Sequence, residues 1–300
     1  MVSNLKKQRR RSRLDRLNWF DFLNYAIIGI LTFLFLYPVW LTFAISLSDG
    51  TDPLAQVTFL PVGFNLESYQ FLFQDGRIFR YFANSIGYSI GRVFFHLTLT
   101  AMMSYPFLIA DFKGKTFLNI YMLITMFFGG GLIPYFFVVR ALGLVDSIWV
   151  MMIPGAVGAF TVIIFRTFFK SLPGELMESA YVDGAGHFRV LFQLVLPCSK
   201  ALLATFGLFS VVGTWNDWFT PMLFLRTNDL MPIQIMLRRM LILADFRDAE
   251  NVDLQMMLTL VTSRTIRSAA VMATIFPVLC VYPFLQKYFA KGVMIGSIKG

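Results

Sequence analysis

The sequence predicts an all-α polytopic membrane protein with six transmembrane helices, and three observations support this fold class. Of the 300 residues, 57% are hydrophobic and only 14% are charged. A soluble protein of this composition would have too few polar side chains to cover its surface. Six long apolar runs follow one another along the chain, and a cluster of basic residues precedes the first of them. Lipid is therefore the predicted solvent, in which a spanning helix needs about 20 mostly apolar residues.

The apolar runs define one six-span domain at residues 22–289, between a basic N-terminal segment 1–21 and a short tail 290–300. A hydropathy window of about 19 residues locates the individual spans. The predicted spans are about 22–47, 83–109, 118–139, 147–169, 199–225 and 268–289.

Lysine and arginine residues predict the orientation of the chain in the membrane. Seven of them crowd the N-terminus, namely Lys6, Lys7, Arg9, Arg10, Arg11, Arg13 and Arg16. Because segments rich in Lys and Arg stay on the cytoplasmic side, we expect the N-terminus inside, and an even number of spans then puts the C-terminus inside too. The net charge of +9 is thus typical of a membrane anchor rather than of a protein that binds nucleic acid.

Two long connections, residues 48–80 and 226–267, are predicted to lie outside the membrane as small structured caps. Both are mixed in charge, and the first is rich in turn-forming residues such as Pro61 and Gly63. Within the second, Pro232 to Leu243 has the pattern of a short interfacial helix. An external partner could dock on such caps.

Glycine and proline interrupt the predicted spans. The second span contains Gly87 and Gly91, the third contains Gly129 to Gly131 with Pro134, and the fourth contains Pro154, Gly155 and Gly158. Two interpretations stay open at this point. The small residues favour tight packing of a helix bundle, and the breaks also suit a pathway lined by discontinuous helices.

Polar side chains also occur inside the predicted spans. Arg92 and His96 lie four residues apart in the second span, so they share one face of a helix. Placing a charged group in hydrocarbon costs several kcal/mol of free energy unless the group is paired or hydrated. Structural pairing and ligand contact are both open for Arg92 and for Asp217, which lies near the outer half of the fifth span.

The run Trp215 to Trp218 favours a functional role, because aromatic faces beside an amide and a carboxylate suit stacking and hydrogen bonding to a sugar ring. We expect the substrate path among the polar and glycine positions of the spans. The candidates are Trp215, Asn216, Asp217, Gly130, Gly131 and Asn84.

The sequence offers no candidate catalytic residues and no candidate metal ligands. Cys198 and Cys280 lie far apart, and His96 and His187 are isolated from other ligand types. The run Gly114 to Thr116 ends like a phosphate-binding loop, but the first glycine of that motif would fall at Ile109. We therefore expect this chain to bind no cofactor.

Residues 171–197, which join the fourth and fifth spans, carry helix signals of their own. Ser171 is predicted to cap a first helix over about 173–183, with Pro173 near its first turn. Gly184 and Gly186 can take left-handed backbone conformations and turn the chain.

After this turn, His187 to Val195 is predicted to form a second helix that stops before Pro197. The result is a helix-turn-helix at the cytoplasmic membrane face. Tethering by two spans and the small number of basic residues disfavour DNA binding. A solvated loop without a partner is one alternative, and the favoured one is a knob that fits a groove on a cytoplasmic protein.

This loop resembles the EAA motif of ABC-importer permeases. The motif EAA-x3-G-x9-I-x-LP is matched by Glu178 to Ala180, Gly184, Leu194 and Leu196-Pro197, with Ser in place of the first Ala and Leu in place of Ile. Other matches resemble the carbohydrate-uptake branch, in particular the MalG and LplC groups. They are Ala180 to Ala185, Asn84-Ser85, the run from Gly129, Leu172-Pro173, Trp215-Asn216 and the ending from Lys291.

The resemblance implies the ABC type I importer permease fold with a cytoplasmic EAA coupling helix. It implies ATPase-coupling roles for Glu178, Ser179, Ala180, Asp183, Gly184, Ala185, Leu196 and Pro197. ATP and Mg²⁺ would be used by a separate ATPase subunit dimer. The other implied partners are a homologous second permease that completes a heterodimer, an extracytoplasmic sugar-binding protein, an oligosaccharide substrate and membrane lipid, with no nucleic acid. The implied location is the bacterial cytoplasmic membrane.

An ion-coupled secondary transporter is the alternative from another class. In that case Arg92, His96 and Asp217 would be the coupling or relay groups. An enzyme is a weaker third hypothesis, because the spans contain no pair of nucleophile and base.

Overall fold

Helices form all of the regular secondary structure in the part of the chain that the computed structural model describes, which is residues 19–49, 59–74, 76–109, 111–247 and 264–280. The basic cluster before residue 19 and the tail 290–300 lie outside these residues. The last part of the predicted sixth span, 281–289, lies outside them too.

The described residues fall into two compact units, one within 1–71 and 250–272 and the other within 72–249 and 273–300. The first unit contains α1 (Trp19–Ser46), which is exposed over most of its length. The C-terminal end of α1 is fixed by a hydrogen bond of 2.8 Å between the hydroxyls of Ser46 and Tyr69. Tyr69 lies in α2 (Glu67–Gln74).

The second unit is a series of mostly shorter helices. In chain order they are α3 (Arg77–Ser104), α4 (Lys115–Phe127), α5 (Leu132–Ala141), α6 (Trp149–Met152), α7 (Ala159–Lys170), α8 (Gly174–Val182), α9 (His187–Val190), α10 (Leu196–Cys198), α11 (Lys200–Trp215), α12 (Phe219–Phe224) and α13 (Ile233–Arg247). A last helix, α14, spans residues 264–280, of which 273–280 belong to this unit. The long helix α3 contacts α6, α7, α11 and α13 and organises this unit.

The predicted spans correspond to helices of unequal length. Within the described residues, α1 is the one helix that is long and apolar enough to cross a membrane by itself. The run His187–Cys198 with Lys200–Trp215 meets the same criteria only as a pair bent by 83°. The six-span arrangement therefore stays a prediction.

Two of the predicted spans are each divided into two helices, at the glycine and proline positions that interrupt them in the sequence. The third is divided into α4 and α5, and the fourth is divided into α6 and α7. Glycine explains both breaks, because Gly131 has a φ of +81° and Gly155 a φ of +69°, values that L-residues with a side chain rarely adopt. Pro154 adds to the second break because it has no backbone N–H to donate.

The 171–197 loop differs from the prediction at Ser171, Gly186 and Pro197. The hydroxyl of Ser171 does not cap α8 but donates back to the carbonyl of Phe168 at 2.7 Å, and Pro173 takes the N-cap position. Gly186 has an ordinary φ of −75°, so it is not left-handed.

The helical path also does not stop before Pro197. A π-helical segment, Leu191–Val195, leads directly into α10, which contains Pro197. A proline ring clashes with the carbonyl four residues earlier in an α-helix. In a π-helical segment each carbonyl accepts a hydrogen bond from the N–H five residues ahead rather than four. The helical path therefore continues to Cys198.

Asp146 ties the turn between α5 and α6 to the segment after α12. One carboxylate oxygen accepts hydrogen bonds from the backbone N–H groups of Arg226 at 2.8 Å and Thr227 at 2.9 Å, and the other accepts the Thr227 hydroxyl at 2.7 Å. The residue itself has a φ of +56°. These donors stabilise the ionised carboxylate and lower the pKa of Asp146.

Candidate functional site

The EAA-like sequence ends α8 with a specific helix-terminating hydrogen-bond pattern. The N–H of Ala185 donates to the carbonyl of Ala180 at 2.9 Å, and the N–H of Gly184 donates to that of Tyr181 at 3.0 Å. Gly184 has a φ of +79°. This is the Schellman motif, in which a left-handed glycine follows the last helical turn and the residue after it makes an apolar contact with that turn. The spacing from Ala180 to Gly184 and Ala185 thus has a local structural cause.

The 171–197 loop is packed onto the ends of α3 and α7 by an apolar cluster, which we call the loop core. Its buried members are Ala101, Tyr105, Phe165, Phe169, Val190, Leu191, Val195 and Leu202. From the loop, Ala180, Ala185 and Leu196 pack against it, as does Met177. Three of the eight predicted coupling residues therefore anchor the loop to the helices.

The opposite side of the loop is exposed and carries apolar side chains. Val182 is 88% exposed and Phe188 is 70% exposed. Glu178, Ser179, Asp183, Gly184 and Pro197, which are the remaining predicted coupling residues, are exposed as well. A solvent-facing patch of large apolar side chains beside carboxylates is typical of a protein interaction surface.

A cavity of about 700 Å³ lies among α3, α5, α7 and α11, and we call it the polar cavity. Its wall combines aromatic side chains, such as Phe160 and Phe209, with polar groups. The polar lining side chains are Arg92, His96, Tyr135, Thr161, Ser210, Thr214, Asp217 and Thr220. A cavity of this size with convergent polar groups is the common form of a small-molecule site.

Arg92 holds the break between α6 and α7. Its Nη1 donates to the carbonyls of Met152 at 3.3 Å and Pro154 at 2.5 Å, and its Nη2 donates to the carbonyl of Gly155 at 2.6 Å. The last carbonyls of a helix have no partner within the helix. A guanidinium group satisfies several of them at once because its donors are arranged in a planar fork.

His96 extends this arrangement by one residue. Its Nδ1 lies 2.6 Å from the carbonyl oxygen of Ala156. A carbonyl oxygen can only accept, so Nδ1 carries the hydrogen and, in the neutral ring, Nε2 is the acceptor. Arg92 and His96 thus hold the break in the fourth predicted span by hydrogen bonds to its carbonyls. Because both side chains have this structural role, their position in a span no longer favours an ion-coupled relay.

Asp217 lines the polar cavity and also begins α12. Its Oδ1 accepts the N–H groups of Phe219 at 3.1 Å and Thr220 at 3.0 Å. A carboxylate at a helix N-terminus is stabilised by these donors and by the helix dipole. The residue therefore combines a structural role with a position in the cavity wall.

Trp215, predicted to stack on a sugar, is 4% exposed. Its Nε1 donates to the carbonyl of Thr274 at 3.1 Å, and its ring lies against Phe82. The indole face is therefore not available to a ligand in this conformation. Asn216 is exposed, and its Oδ1 lies 3.5 Å from the amide nitrogen of Gln234.

Asn84, another predicted path residue, holds backbone instead of lining the cavity. Its Nδ2 donates to the carbonyls of Asp229 at 2.7 Å and Met231 at 3.0 Å. Gly130 and Gly131 lie in the exposed break before α5 and do not line the cavity either. Of the six predicted path residues, Asp217 alone is among the cavity-lining residues.

The hydroxyl groups of the cavity wall were missed by the sequence analysis. Tyr135, Thr161, Ser210 and Thr214 are single polar residues within otherwise apolar segments. Their spacing gives no signal that they converge, because they come from three different helices. In the part of the chain that the structure describes, no group of three His, Cys, Asp or Glu residues could hold a metal ion.

The loop core and the polar cavity share two side chains. Ile164 of α7 and Phe206 of α11 pack against the loop core, and both also line the cavity. The exposed loop and the cavity are thus linked by contiguous packing within the second unit.

Comparison with known proteins assigns these features to a family. Residues 79–295 match the family described as "Binding-protein-dependent transport system inner membrane component". The chain is 37% identical to Protein LplC of Bacillus subtilis strain 168, over 94% of this chain and 95% of that protein. It is 33% identical to the polygalacturonan/rhamnogalacturonan transport system permease protein YtcP of the same strain, over 94% of this chain and 98% of that one.

A solved structure gives the same result at the level of the fold. The chain is similar to a crystal structure of a bacterial ABC transporter involved in the import of the acidic polysaccharide alginate, with a TM-score of 0.80 and 30% identity. The match covers 90% of this chain and 96% of the other. The fold is that of an ABC type I importer permease, and the chain belongs to the family of binding-protein-dependent transport system inner membrane components.

Proposed function

We propose that this chain is a permease subunit of an ATP-driven, binding-protein-dependent importer of oligosaccharides in the plasma membrane. It forms half of the translocation pathway and takes its energy from a separate ATPase. Family membership and the identity to carbohydrate permeases support this function.

The observation that carries the proposal is the contact between the two candidate sites. Ile164 and Phe206 belong both to the packing of the loop core and to the wall of the polar cavity. A displacement of the exposed loop is therefore transmitted to the cavity wall through directly packed side chains. Packed cores respond to such a displacement by switching between discrete arrangements.

The exposed face of the 171–197 loop is the proposed docking surface for the ATPase. Val182 and Phe188 supply apolar contact area, and Glu178 and Asp183 supply charge at its edge. In this proposal the loop and both chain termini face the cytoplasm, and a second, homologous permease completes the pathway. ATP and Mg²⁺ are bound by the ATPase subunits, and a sugar-binding protein delivers substrate on the other side.

The polar cavity is the proposed part of the pathway that this chain contributes. The hydroxyl groups of Tyr135 and Thr214, together with the Asp217 carboxylate, offer the donors and acceptors that sugar hydroxyls need. Phe160 and Phe209 offer aromatic surface of the kind on which sugar rings stack.

Reconstitution in proteoliposomes tests this function. The complex is purified through a tag on this chain, and uptake is measured with ATP enclosed or omitted. The panel of labelled oligosaccharides contains galacturonan and alginate fragments as acidic members and arabinan and maltodextrin fragments as neutral ones. We expect ATP-dependent uptake of at least one member. Uptake that continues without ATP and collapses with the proton gradient would instead support the ion-coupled alternative.

A further inference from the structure

Tyr181 of α8 connects the 171–197 loop to the end of α3 through its hydroxyl group. Its oxygen lies 2.6 Å from the hydroxyl oxygen of Tyr105 and 3.0 Å from Nδ1 of His187. The rings of Tyr105 and Tyr181 also meet the imidazole edge to face, at centroid distances of 6.2 and 5.4 Å. Three aromatic side chains from three different elements thus form one hydrogen-bonded chain.

The direction of the two hydrogen bonds follows from counting donors and acceptors. If Tyr105 donates to Tyr181 and Tyr181 donates to His187, both hydroxyl hydrogens are used and the chain ends on the lone pair of Nδ1. In the opposite direction the hydroxyl hydrogen of Tyr105, a residue only 5% exposed, would have no acceptor among the described residues. A buried donor without an acceptor is costly. In this direction Nδ1 of His187 is the acceptor, so the ring hydrogen lies on Nε2.

The three hydrogen-bonded side chains form a directional contact in apolar surroundings. The loop core around Tyr105 is otherwise apolar, and apolar contacts are less directional than hydrogen bonds. A hydrogen bond is directional, since it weakens steeply when its angle departs from linear. The hydroxyl of Tyr181 therefore adds a directional constraint between α8 and the end of α3 to the adhesion that the apolar packing supplies.

We propose that Tyr105, Tyr181 and His187 are positioning residues that make the 171–197 loop and α3 move as one body, so that ATPase closure is converted into movement at the polar cavity. Tyr105 directly follows α3 as its C-cap residue, and Arg92 and His96 of α3 line the cavity. The inference rests on the proposed function, and it identifies the contact that transmits movement of the loop to α3.

The test compares energy use with movement at the cavity in the same sample. Gly213 lines the polar cavity, and a Cβ at this position would meet nothing within 4 Å. Gly213→Cys therefore places a reporter thiol there, in a chain whose exposed Cys198 and Cys280 are replaced by alanine. The purified complex is treated with ATP and orthovanadate, and trapped nucleotide and the rate of labelling by fluorescein maleimide are both measured.

For the unsubstituted network we expect nucleotide trapping to change the labelling rate. Tyr105→Phe and Tyr181→Phe keep the rings and remove one hydroxyl each. We expect both to leave the amount of trapped nucleotide unchanged and to reduce the change in labelling rate per trapped nucleotide about fivefold, the equivalent of one hydrogen bond. The double variant should be no worse than either single variant, because the two hydroxyls serve one contact.

His187 provides an independent pair of variants, since it is exposed and its replacement leaves the loop core intact. Asn keeps an acceptor close to the position of Nδ1, and Ala removes it. We expect His187→Asn to stay near the unsubstituted ratio, and His187→Ala to lower the ratio less than Tyr181→Phe does, because the alanine leaves the hydrogen bond between Tyr105 and Tyr181 in place. Tyr121→Phe is the matched control, because Tyr121 is exposed and stacks on Phe117, outside this network.

Three results would overturn the inference while leaving the proposed function intact. They are unchanged ratios in all of the network variants, an equal loss in the Tyr121→Phe control, and strictly additive losses in the double variant. If the unsubstituted complex neither traps nucleotide nor changes its labelling rate, the proposed function itself fails and the inference fails with it.

Discussion

Arg92 and Gly155 are joined by a hydrogen bond of 2.6 Å from the guanidinium Nη2 to the glycine carbonyl. A Cβ at residue 155 would lie 3.3 Å from the same Nη2, and the φ of +69° disfavours any L-residue there. The arginine and the glycine thus require each other: one supplies donors for an interrupted helix, and the other allows the chain to present its carbonyls to them.

Replacing Arg92 with Met should open this break. Met has a similar length but no donors, so the carbonyls of residues 152, 154 and 155 lose their side-chain partner. An unsatisfied buried polar group costs about 1–3 kcal/mol. We expect a lower thermal midpoint of the purified chain and loss of ATP-dependent uptake.

Arg92→Lys is the matched variant for charge. It keeps the positive charge but lacks the planar fork that reaches several carbonyls, so we expect only partial recovery. If Arg92→Lys were fully active and stable, the requirement at position 92 would be for a positive charge rather than for several hydrogen-bond donors. Unfolding followed by intrinsic fluorescence distinguishes these results.

Gly91 should tolerate a side chain less well than Gly87, although the two lie one turn apart on α3. A Cβ at residue 91 would lie 2.6 Å from the sulfur of Met152, whereas a Cβ at residue 87 meets nothing within 4 Å. Overpacking of this kind costs about 1–3 kcal/mol. Thermal unfolding should place Gly91→Ala below the parent and Gly87→Ala at or above it. Equal midpoints would show that Met152 moves aside without cost.

Asp146 should make stability depend on pH in a defined direction. Its folded pKa is lowered from an ordinary value of 3.8, so its contribution is complete above that value and is lost as the pH falls through the folded pKa. Asp146→Asn tolerates the left-handed backbone but cannot accept the same three hydrogen bonds. We expect it to unfold at a lower temperature than the parent near pH 7, with the difference shrinking below about pH 4.

Asp229→Asn makes the same change in charge and is the control. The described structure uses the backbone carbonyl of Asp229, as an acceptor for Asn84. Near pH 7 its midpoint should stay close to that of the parent. A gap between Asp146→Asn and the parent that stays constant down to about pH 3 would contradict the assignment.

The two glycines after α8 should differ sharply when each is replaced by alanine. Gly184 has a φ of +79°, where a non-glycine residue costs about 1–3 kcal/mol. Gly186 has a φ of −75°, which alanine adopts freely. Gly184→Ala should therefore weaken vanadate trapping, and Gly184→Arg should abolish uptake while the chain stays in the membrane. Gly186→Ala should match the parent in both assays, and an equal loss in the two alanine variants would refute the Schellman explanation.

The helical class and the short helix α8 could be predicted from sequence because their signals are local. Apolar runs and the pair Pro173 and Gly184 act within a few residues of their own position. The end of the second loop helix could not be predicted from Pro197 alone, because a π-helical segment, Leu191–Val195, precedes it. Proline rules for an α-helix do not apply once the hydrogen-bond register has changed.

The cavity was predicted least well, for a similar reason. The sequence favours Trp215 as a stacking surface for a sugar, and Asn84 belongs to the pair Asn84-Ser85 that resembles the permease family, yet both side chains hold neighbouring backbone. Tyr135 and Thr214 line the cavity and look ordinary in sequence. Which polar residues converge depends on how separate helices pack, and one sequence does not contain that information.

Cross-linking from Val182 tests whether an ATPase docks on the 171–197 loop. This side chain is 88% exposed, so a photoreactive amino acid can replace it without disturbing the loop core. We expect a covalent adduct between this chain and a nucleotide-binding subunit, identified by mass spectrometry, that is lost in Gly184→Arg. If the chain accumulates in the membrane, copurifies with an ATPase and yet forms no adduct from this position, the proposed docking surface is contradicted.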